Sequence, residues 1–154
     1  MAKKKVSDEI DYGILDSLIG YKLRCAQVSV FSNFTERCAE FGITPGLFGV
    51  LSIVQRNPGL TQTAIAKALG NDRSVMVSVV DRLEGMGVVE RKPSVSDRRS
   101  HALYLTKSGE SFYKKLLKKV MAHEDEFLSL LNEGEKEIMI DVLGRFAEHK
   151  PVNS

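Results

Sequence analysis

The chain has 154 residues, of which 43% are hydrophobic and 27% are charged, and its formal net charge is +2. This length and composition fit one globular domain that buries a core of its own. No apolar run approaches the roughly 20 residues that cross a bilayer, and the lysine-rich start is not followed by the apolar segment of a signal peptide. We therefore expect a cytoplasmic protein.

The positive charge is concentrated in the middle third of the chain. Residues 1–52 hold six basic and six acidic side chains, residues 53–107 hold nine and five, and residues 108–154 hold seven and nine. An excess of four positive charges in one segment is typical of a surface that binds nucleic acid.

The first predicted element is a long helix from Asp8 to about Glu40, which Gly42 ends. Two adjacent apolar stripes follow its helical period, formed by Ile14, Leu18, Cys25, Val28 and Phe31 and by Leu15, Ile19, Ala26, Val30 and Phe34. Two stripes indicate packing on two sides, against the same domain and against a partner subunit. Cys25 and Cys38 lie about 20 Å apart along such a helix, too far for a disulfide, so we expect buried, reduced thiols.

Two short helices follow. Thr44-Pro45 is predicted to cap and begin the first, and Thr61 is predicted to cap the second, which Gly70 ends. A tight turn then leads into an amphipathic helix over residues 72–86, so the second of the short helices and this one form a helix-turn-helix pattern.

The helix at 72–86 divides into two faces at 100° per residue. The predicted core face holds Val75, Met76, Val79, Val80, Leu83 and Met86, and the outer face holds Ser74, Val77, Ser78, Asp81 and Gly85, flanked by Arg73 and Arg82. Small outer side chains let a helix enter the major groove, where serine hydroxyls meet base edges and Val77 meets a thymine methyl. The alternative is a solvated helix that carries two serines.

A β-hairpin is predicted after this helix, with strands at 88–92 and 101–105 and a tip from Pro93 to Ser100. The tip carries Asp97-Arg98-Arg99. An arginine at a hairpin end fits a narrow minor groove, and a carboxylate two residues away lies on the same side and can orient the guanidinium of Arg99. A solvated run of charges is the alternative.

Two more helices complete the chain. Thr106 is predicted to cap the first, which is apolar on one side as far as Leu131, and Asn132 with Glu135 resembles a capping box before the last. These helices and the first one are more apolar than a small domain requires, so we interpret them as a dimer interface. The predicted fold is mainly α with a small β-hairpin.

The chain resembles the MarR family of winged helix-turn-helix transcriptional regulators over nearly its whole length, because a series of short blocks matches in order and spacing. The blocks are Leu69-Gly70, Val79-Val80-Asp81-Arg82-Leu83-Glu84, Gly87-Val88-Val89-Glu90-Arg91, Asp97-Arg98-Arg99 and Leu103-Tyr104-Leu105-Thr106-Lys107-Ser108-Gly109. The resemblance implies a winged DNA-binding lobe at 44–105 and dimerisation helices at 8–41 and 106–150.

This resemblance implies a homodimeric regulator, here expected to be a repressor, on a palindromic operator in double-stranded DNA. The helix at 72–86 would enter the major groove and the hairpin the flanking minor groove, with Arg99 in that groove, Asp97 orienting it and Arg98 at phosphates. The expected DNA-contacting residues are Thr61, Gln62, Thr63, Arg73, Ser74, Val77, Ser78, Asp81, Arg82, Asp97, Arg98 and Arg99. For the first three, a helix N-terminus can donate to phosphate.

Many members of this family bind a small anionic or aromatic effector between the dimerisation helices and the DNA-binding lobe. The candidate lining residues here are Tyr21, Arg24, Cys25, Phe31, Phe34, Phe48 and Tyr113. An arginine among aromatics suits a carboxylate or an acyl thioester. Alternatively, the aromatics are core residues and Arg24 forms an ion pair at the interface.

Three other functions fit the sequence less well. A redox-responsive regulator would act through Cys25 or Cys38, although neither lies near the start of the first helix, where the peroxide-sensing branch of the family has its cysteine. A winged-helix module that binds protein is disfavoured by the basic middle segment. An enzyme is not expected, because His101, His123 and His149 are scattered, the last two on polar helix surfaces, without the spacing of metal ligands. No cofactor or metal is predicted.

Overall fold

The structure is a computed structural model that describes residues 10–149. Within this range the order of the elements is α1 (Ile19–Arg37), α2 (Pro45–Arg56), α3 (Gln62–Leu69), α4 (Arg73–Gly85), β1 (Val89–Pro93), β2 (His101–Leu105), α5 (Lys107–Leu128) and α6 (Glu135–Glu148). The expected mainly helical fold with one β-hairpin is confirmed. In this part of the chain, none of the helices combines the length and hydropathy that spanning a membrane requires.

The N-terminal helix is shorter than predicted. The side chain of Asp11 accepts a hydrogen bond from the N–H of Gly13 at 2.8 Å, and Gly13 has a φ of +54°. These two residues form a turn that leads into a 3₁₀ helix at Gly13–Ser17. Leu18 is extended (φ −86°, ψ 123°) and caps α1, so the prediction of one continuous helix is wrong before Ile19; Asp8 lies outside the described residues.

The predicted threonine caps form at the starts of α2 and α3. The hydroxyl of Thr44 accepts a hydrogen bond from the N–H of Leu47 at 3.4 Å, and that of Thr61 accepts one from Ala64 at 3.2 Å. Gly70 ends α3 in the left-handed conformation, with a φ of 64°. Local sequence signals therefore set both ends of α3.

The core lies between α2, α3, α4, the hairpin and the adjoining ends of α1 and α5. Its fully buried side chains include Ile43, Val50, Leu51, Val54, Ile65, Met76, Val80, Leu83, Leu103 and Leu116. The predicted core face of α4 is thus confirmed at its centre. Val75 was predicted to face the core but is 48% exposed. It lies at the edge of the apolar arc of α4, and this arc is wider than the surface that the helix buries.

The hairpin is anchored at its base to the loop between α2 and α3. Strands β1 and β2 pair antiparallel from Val89↔Leu105 to Pro93↔His101, so Pro93 belongs to the strand rather than to the tip. Leu103 accepts a hydrogen bond from the N–H of Gly59 at 2.9 Å and donates one to the carbonyl of Leu60 at 3.0 Å. These bonds join the segment that leads into α3 to the middle of β2.

Helices α1 and α5 pack together around a buried histidine. His123 is 4% exposed, its Nε2 lies 3.1 Å from the carbonyl oxygen of Val30, and its ring meets the edge of Phe34. The prediction that His123 lies on a polar surface is wrong, because its partners come from a distant helix. The ion pair Arg37–Glu126 joins the same two helices, and the ion pair Lys119–Glu40 joins α5 to the short 3₁₀ helix that follows α1.

An apolar groove remains open on the other side of these helices. Its cavity of about 510 Å³ is lined from α1, α5, α6 and the loop between the last two, including Val30, Phe127, Leu131, Met139 and Leu143. Along α6 the large apolar side chains that stay exposed are Ile138, Met139, Ile140, Leu143 and Phe146. A surface this apolar is typical of a protein interface.

Candidate functional site

The outward face of α4 consists of small side chains. Ser74, Val77 and Ser78 are all exposed, and the hydroxyl of Ser78 donates to the carbonyl of Ser74 at 3.3 Å. Val75 adds a second exposed aliphatic side chain. The helix therefore presents a surface without long side chains at its centre, which allows its backbone to approach a groove closely.

Arg91 on β1 joins this helix to the hairpin and to α3. Its Nε donates to the Gln62 side-chain oxygen at 3.2 Å, its Nη2 donates to the Asp81 carboxylate at 2.5 Å, and its Nη1 donates to the Glu84 carboxylate. Burial by itself lowers the pKa of Arg91, but these two carboxylates outweigh burial and leave the pKa raised. Sequence reasoning missed Arg91 as a site residue, because its partners are visible only in the folded chain.

Three predicted DNA-contacting side chains bond to other elements of the protein. Asp81 and Gln62 accept hydrogen bonds from Arg91, and Arg82 donates to the carbonyl of Gly42 at 3.0 Å. Asp81 and Arg82 remain exposed. Their contact with DNA stays a prediction, whereas within the protein Asp81 is bonded to Arg91 of the hairpin and Arg82 to the loop before α2.

The hairpin tip is folded by Asp97. Its carboxylate accepts the backbone N–H of Arg99 at 2.9 Å and the hydroxyl of Ser100 at 2.9 Å, and these bonds hold the pKa of Asp97 below its ordinary value. The expected contact with the guanidinium is wrong: Asp97 fixes the backbone of Arg99 instead. The short side chain of an aspartate reaches the backbone N–H two residues later more readily than it reaches the guanidinium of that residue. Arg98 and Arg99 are exposed.

A small cavity brings four of the predicted residues together. It has a volume of about 120 Å³ and lies between the first turn of α3, the first turn of α4 and the return of the hairpin. Gln62, Thr63, Arg73 and Arg99 line it together with His101. The sequence carries no signal for this cavity, because its three walls are far apart in the chain.

The predicted effector residues do not surround one cavity. Phe34 is buried and packs against Phe48, with ring centres 5.9 Å apart. Phe48 in turn stacks on Tyr113, whose hydroxyl donates to Ser52 at 3.1 Å. These contacts favour the core alternative for Phe34 and Phe48, since they pack on neighbouring side chains.

Tyr113 also lines a larger cavity of about 410 Å³ between the end of α2, the base of β2 and the start of α5. Tyr104 on β2 and Glu110 and Lys114 on α5 face the same space. The sequence did not indicate them, because α2, β2 and α5 meet here only in the folded chain. Phe31 lies instead at a shallow depression beside Pro45.

The remaining predicted effector residues, Tyr21, Arg24 and Cys25, lie on the first half of α1. Cys25 is exposed, contrary to the expectation of a buried thiol, and its contact with Tyr21 raises the pKa of that phenol. Cys38 is buried as expected, and burial raises the pKa of its thiol. The described residues contain no cluster of side chains suited to a metal ion.

The known proteins to which this chain is similar are transcriptional regulators. The sequence profile of the MarR family matches residues 43–101. A protein named as a transcriptional regulator for the hcr operon of Thauera aromatica is 35% identical over 138 residues, which are 89% of this chain and 83% of the relative. The solved structure of the repressor CouR bound to a 23-mer DNA duplex is 39% identical, with a TM-score of 0.86 over 92% of this chain and 100% of CouR. CouR bound to p-coumaroyl-CoA matches with 35% identity and a TM-score of 0.85 over the same shares.

Proposed function

This chain belongs to the MarR family of transcriptional regulators, and we propose that it represses transcription as a cytoplasmic homodimer on a palindromic DNA operator. Its relatives are regulators rather than enzymes, as predicted. One observation carries the proposal: the small-residue face of α4 stands beside an arginine-tipped hairpin, in a fold that superposes on a DNA-bound repressor.

In the proposed complex α4 enters the major groove and the hairpin tip enters the flanking minor groove. Ser74 and Ser78 then face base edges, and Val77 faces thymine methyl groups. Arg99 supplies the cation that a narrow minor groove attracts. The DNA-binding lobe comprises residues 44–105 in this proposal.

The homodimer is proposed to form through residues 8–41 and 106–150. The support is the apolar groove lined by Val30, Phe127 and Leu143, next to the exposed apolar side chains of α6. A second copy of the same surface would remove this apolar area from water, which is the main favourable term in association. Two lobes held by one dimer match the two halves of a palindrome.

The test begins with duplexes that the wild-type protein selects from a random library. Arg99→Ala is expected to lower affinity for the selected duplex by several-fold to about a hundredfold, with an unchanged fold by circular dichroism. Arg56→Ala removes the same charge at the exposed end of α2, from a residue that is not among those assigned to DNA contact, and serves as the control. Equal affinities of the Arg99→Ala variant and wild type would refute the assignment of Arg99.

A protein-interaction module is the competing class. A wild-type protein that selects no duplex, and that bulk DNA does not bind even at low salt, would favour that alternative. The DNA-binding proposal requires the opposite: affinity that falls steeply and linearly with the logarithm of salt concentration.

We further propose that an aromatic acid or its acyl thioester releases the protein from DNA by binding in the cavity at Tyr113. The volume of about 410 Å³ lies within the range of small-molecule sites. The phenol rings of Tyr104 and Tyr113 suit an aromatic group, and the ammonium of Lys114 suits an acyl oxygen or carboxylate. CouR, which is similar, has been solved with p-coumaroyl-CoA.

Thermal-shift and DNA-release assays with p-coumaric acid, p-coumaroyl-CoA and free coenzyme A test this site. A ligand at 100 times its dissociation constant adds about 2.7 kcal/mol to stability. Lys114→Ala should reduce the response, whereas Lys118→Ala, four residues along the same helix and outside the cavity, should not. A response that is equal in both variants would place the effector elsewhere, and release by peroxide that depends on Cys25 would favour the redox alternative.

A further inference from the structure

The tip of the hairpin carries one apolar side chain, that of Val95. Every other residue from Ser94 to Ser100 is charged or carries a hydroxyl group. Val95 is 100% exposed, which is more than any other large apolar side chain that the structure describes. Single exposed apolar residues are common on protein surfaces, so the exposure of Val95 gains meaning only from the frame that holds this residue.

This frame is a set of hydrogen bonds across the tip. The N–H of Ser94 donates to the carbonyl of Ser100 at 2.9 Å, and the N–H of Ser100 donates to the carbonyl of Asp97 at 2.9 Å. Ser94 is buried, and its hydroxyl lies 3.0 Å from the hydroxyl of Ser96. Because the side chains on both sides of Val95 meet each other, the valine between them points away from the protein. Its β-branched side chain also has few rotamers to lose on contact.

We propose that Val95 determines base specificity in the minor groove: it lies against the floor of the groove and selects A·T over G·C pairs by excluding the guanine amino group. This inference rests on the proposed DNA-binding function, in which the hairpin tip enters the minor groove, and it adds a base preference to that contact. Arg99 keeps the role proposed above. Val95 follows Ser94 and Arg99 precedes Ser100, so the two side chains come from opposite sides of one tip.

The two kinds of base pair differ in the minor groove by one group. A·T and T·A pairs present only the acceptors adenine N3 and thymine O2, whereas a G·C pair adds the N2 amino group of guanine. The groove is only about 6 Å wide, so a side chain held in it displaces water from that amino group. Valine offers no acceptor to the amino group, and a donor that is removed from water without a partner is costly. An A·T pair has no amino group at this place and leaves room for the methyl groups of Val95.

Arg99 favours A·T pairs by a different route. Its guanidinium is attracted by the enhanced negative potential of a narrow minor groove, which is a property of several successive base pairs. The preference that we assign to Val95 depends instead on one amino group at one position in each half of the operator. A chemical change at a single base can therefore separate the two contributions.

The experiment uses base analogues that alter only the minor groove. Replacement of adenine by 2,6-diaminopurine adds the N2 amino group, replacement of guanine by inosine removes it, and both leave the major-groove edge unchanged. We expect the selected duplex to carry A·T pairs where the tip binds, beside the base pairs that α4 covers. Diaminopurine at that position should lower wild-type affinity on the order of tenfold. In a duplex with G·C at the same position, inosine should restore most of the affinity.

Val95→Ser shortens the side chain and supplies a hydroxyl that accepts a hydrogen bond from the amino group. Its affinity for the unmodified duplex should fall by about threefold, because apolar contact is lost. The further loss caused by diaminopurine should shrink from about tenfold to about twofold. Circular dichroism should show an unchanged fold, since the Val95 side chain is fully exposed.

Val77→Ser is the matched control, because it makes the same exchange on α4, in the proposed major-groove contact. It should retain the full diaminopurine loss, and it should instead lose the sensitivity of wild type to replacement of thymine by uracil. Arg99→Ala should bind every duplex less tightly than wild type does but retain the diaminopurine loss at the Val95 position.

Three results would overturn the proposal: selected duplexes without A·T pairs where the tip binds, a wild-type protein that tolerates diaminopurine at every position, or a diaminopurine loss that Val95→Ser retains in full. A loss that disappears in Arg99→Ala but persists in Val95→Ser would assign the base preference to Arg99. A wild-type protein that selects no duplex would instead refute the proposed function, so the two failures are distinguishable.

Discussion

Replacement of Arg91 by methionine removes the guanidinium that joins β1 to α3 and α4 but keeps a long unbranched side chain. Only 18% of the Arg91 side chain is exposed, whereas its partners Asp81 and Glu84 are 60% and 41% exposed. Each exposed ion pair contributes about 0–1 kcal/mol, and the hydrogen bond to Gln62 contributes about 1 kcal/mol. We therefore expect Arg91→Met to lower the free energy of unfolding by about 2 kcal/mol.

Thermal unfolding at fixed protein concentration measures this loss. About 2 kcal/mol corresponds to a fall in Tm of about 4–8 °C for a chain of this size. Combining Arg91→Met with Asp81→Asn in a double-mutant cycle should give a coupling energy on the order of 1 kcal/mol, because the two side chains bond directly. Affinity for the selected duplex should fall by about tenfold, since the hairpin is no longer held to α4.

Lys92→Met is the control for this prediction. Lys92 is the next residue on β1, its ion pair with Glu90 is exposed, and its ammonium lies 5.0 Å from the centre of the Tyr104 ring. The substitution should therefore change stability by no more than about 1 kcal/mol. Two results together would refute the reasoning: an Arg91→Met variant as stable as this control, and an Asp81→Asn variant with an altered base preference. Asp81 would then be a base-reading residue rather than one held by Arg91.

Three further predictions follow from single contacts. A Cβ at Gly109 would lie 2.0 Å from the carbonyl oxygen of Val88, so Gly109→Ala should cost about 3 kcal/mol or more, and an unshifted urea midpoint would contradict this. Because the pKa of Asp97 is lowered, its stabilisation of the hairpin tip is complete above the ordinary carboxyl pKa of about 3.9 and is lost as pH falls through the lowered value. At neutral pH the Asp97→Asn variant should therefore show faster hydrogen exchange at the Arg99 amide. Equal exchange rates in the variant and in wild type would refute this prediction. Buried Cys38, whose thiol pKa is raised, should be alkylated only in denaturant, so labelling of the native protein would show that it is accessible.

Features that depend on neighbours in sequence were predictable. The hydroxyls of Thr44, Thr61 and Thr106 each accept the hydrogen bond expected of a cap, because capping involves residues only three apart. The centre of the α4 core face followed from helical periodicity alone. The family blocks then identified the hairpin as a wing, and the comparisons confirmed the family.

Features that depend on the meeting of distant elements were not predictable. Arg91 bonds to residues 7, 10 and 29 positions away on two helices, and His123 meets a carbonyl 93 positions away. The sequence indicated that Asp97 and Arg99 interact, but it could not show which group of Arg99 is bonded. The atomic geometry of the tip decides that Asp97 bonds to the backbone N–H of Arg99 and not to its guanidinium. The cavity lined by Arg73 and Arg99 belongs to the same class, since three separate elements form it.

The charge on the proposed DNA face is arranged so that its one central carboxylate does not oppose binding. Asp81 lies on the outer side of α4, where DNA phosphates would repel an unpaired negative charge. At physiological salt this repulsion is screened only over distances longer than about 8 Å. Arg91 offsets part of this charge from the protein side, since it pairs with Glu84 as well, while Arg73 and Arg99 line the cavity at the edge of this face. We therefore expect affinity to come mainly from these arginines, and selectivity from Ser74 and its small neighbours on α4. Because Arg91 holds Asp81 as well as the wing, loss of its side chain should lower both affinity and selectivity. Loss of the Arg73 side chain should lower affinity alone.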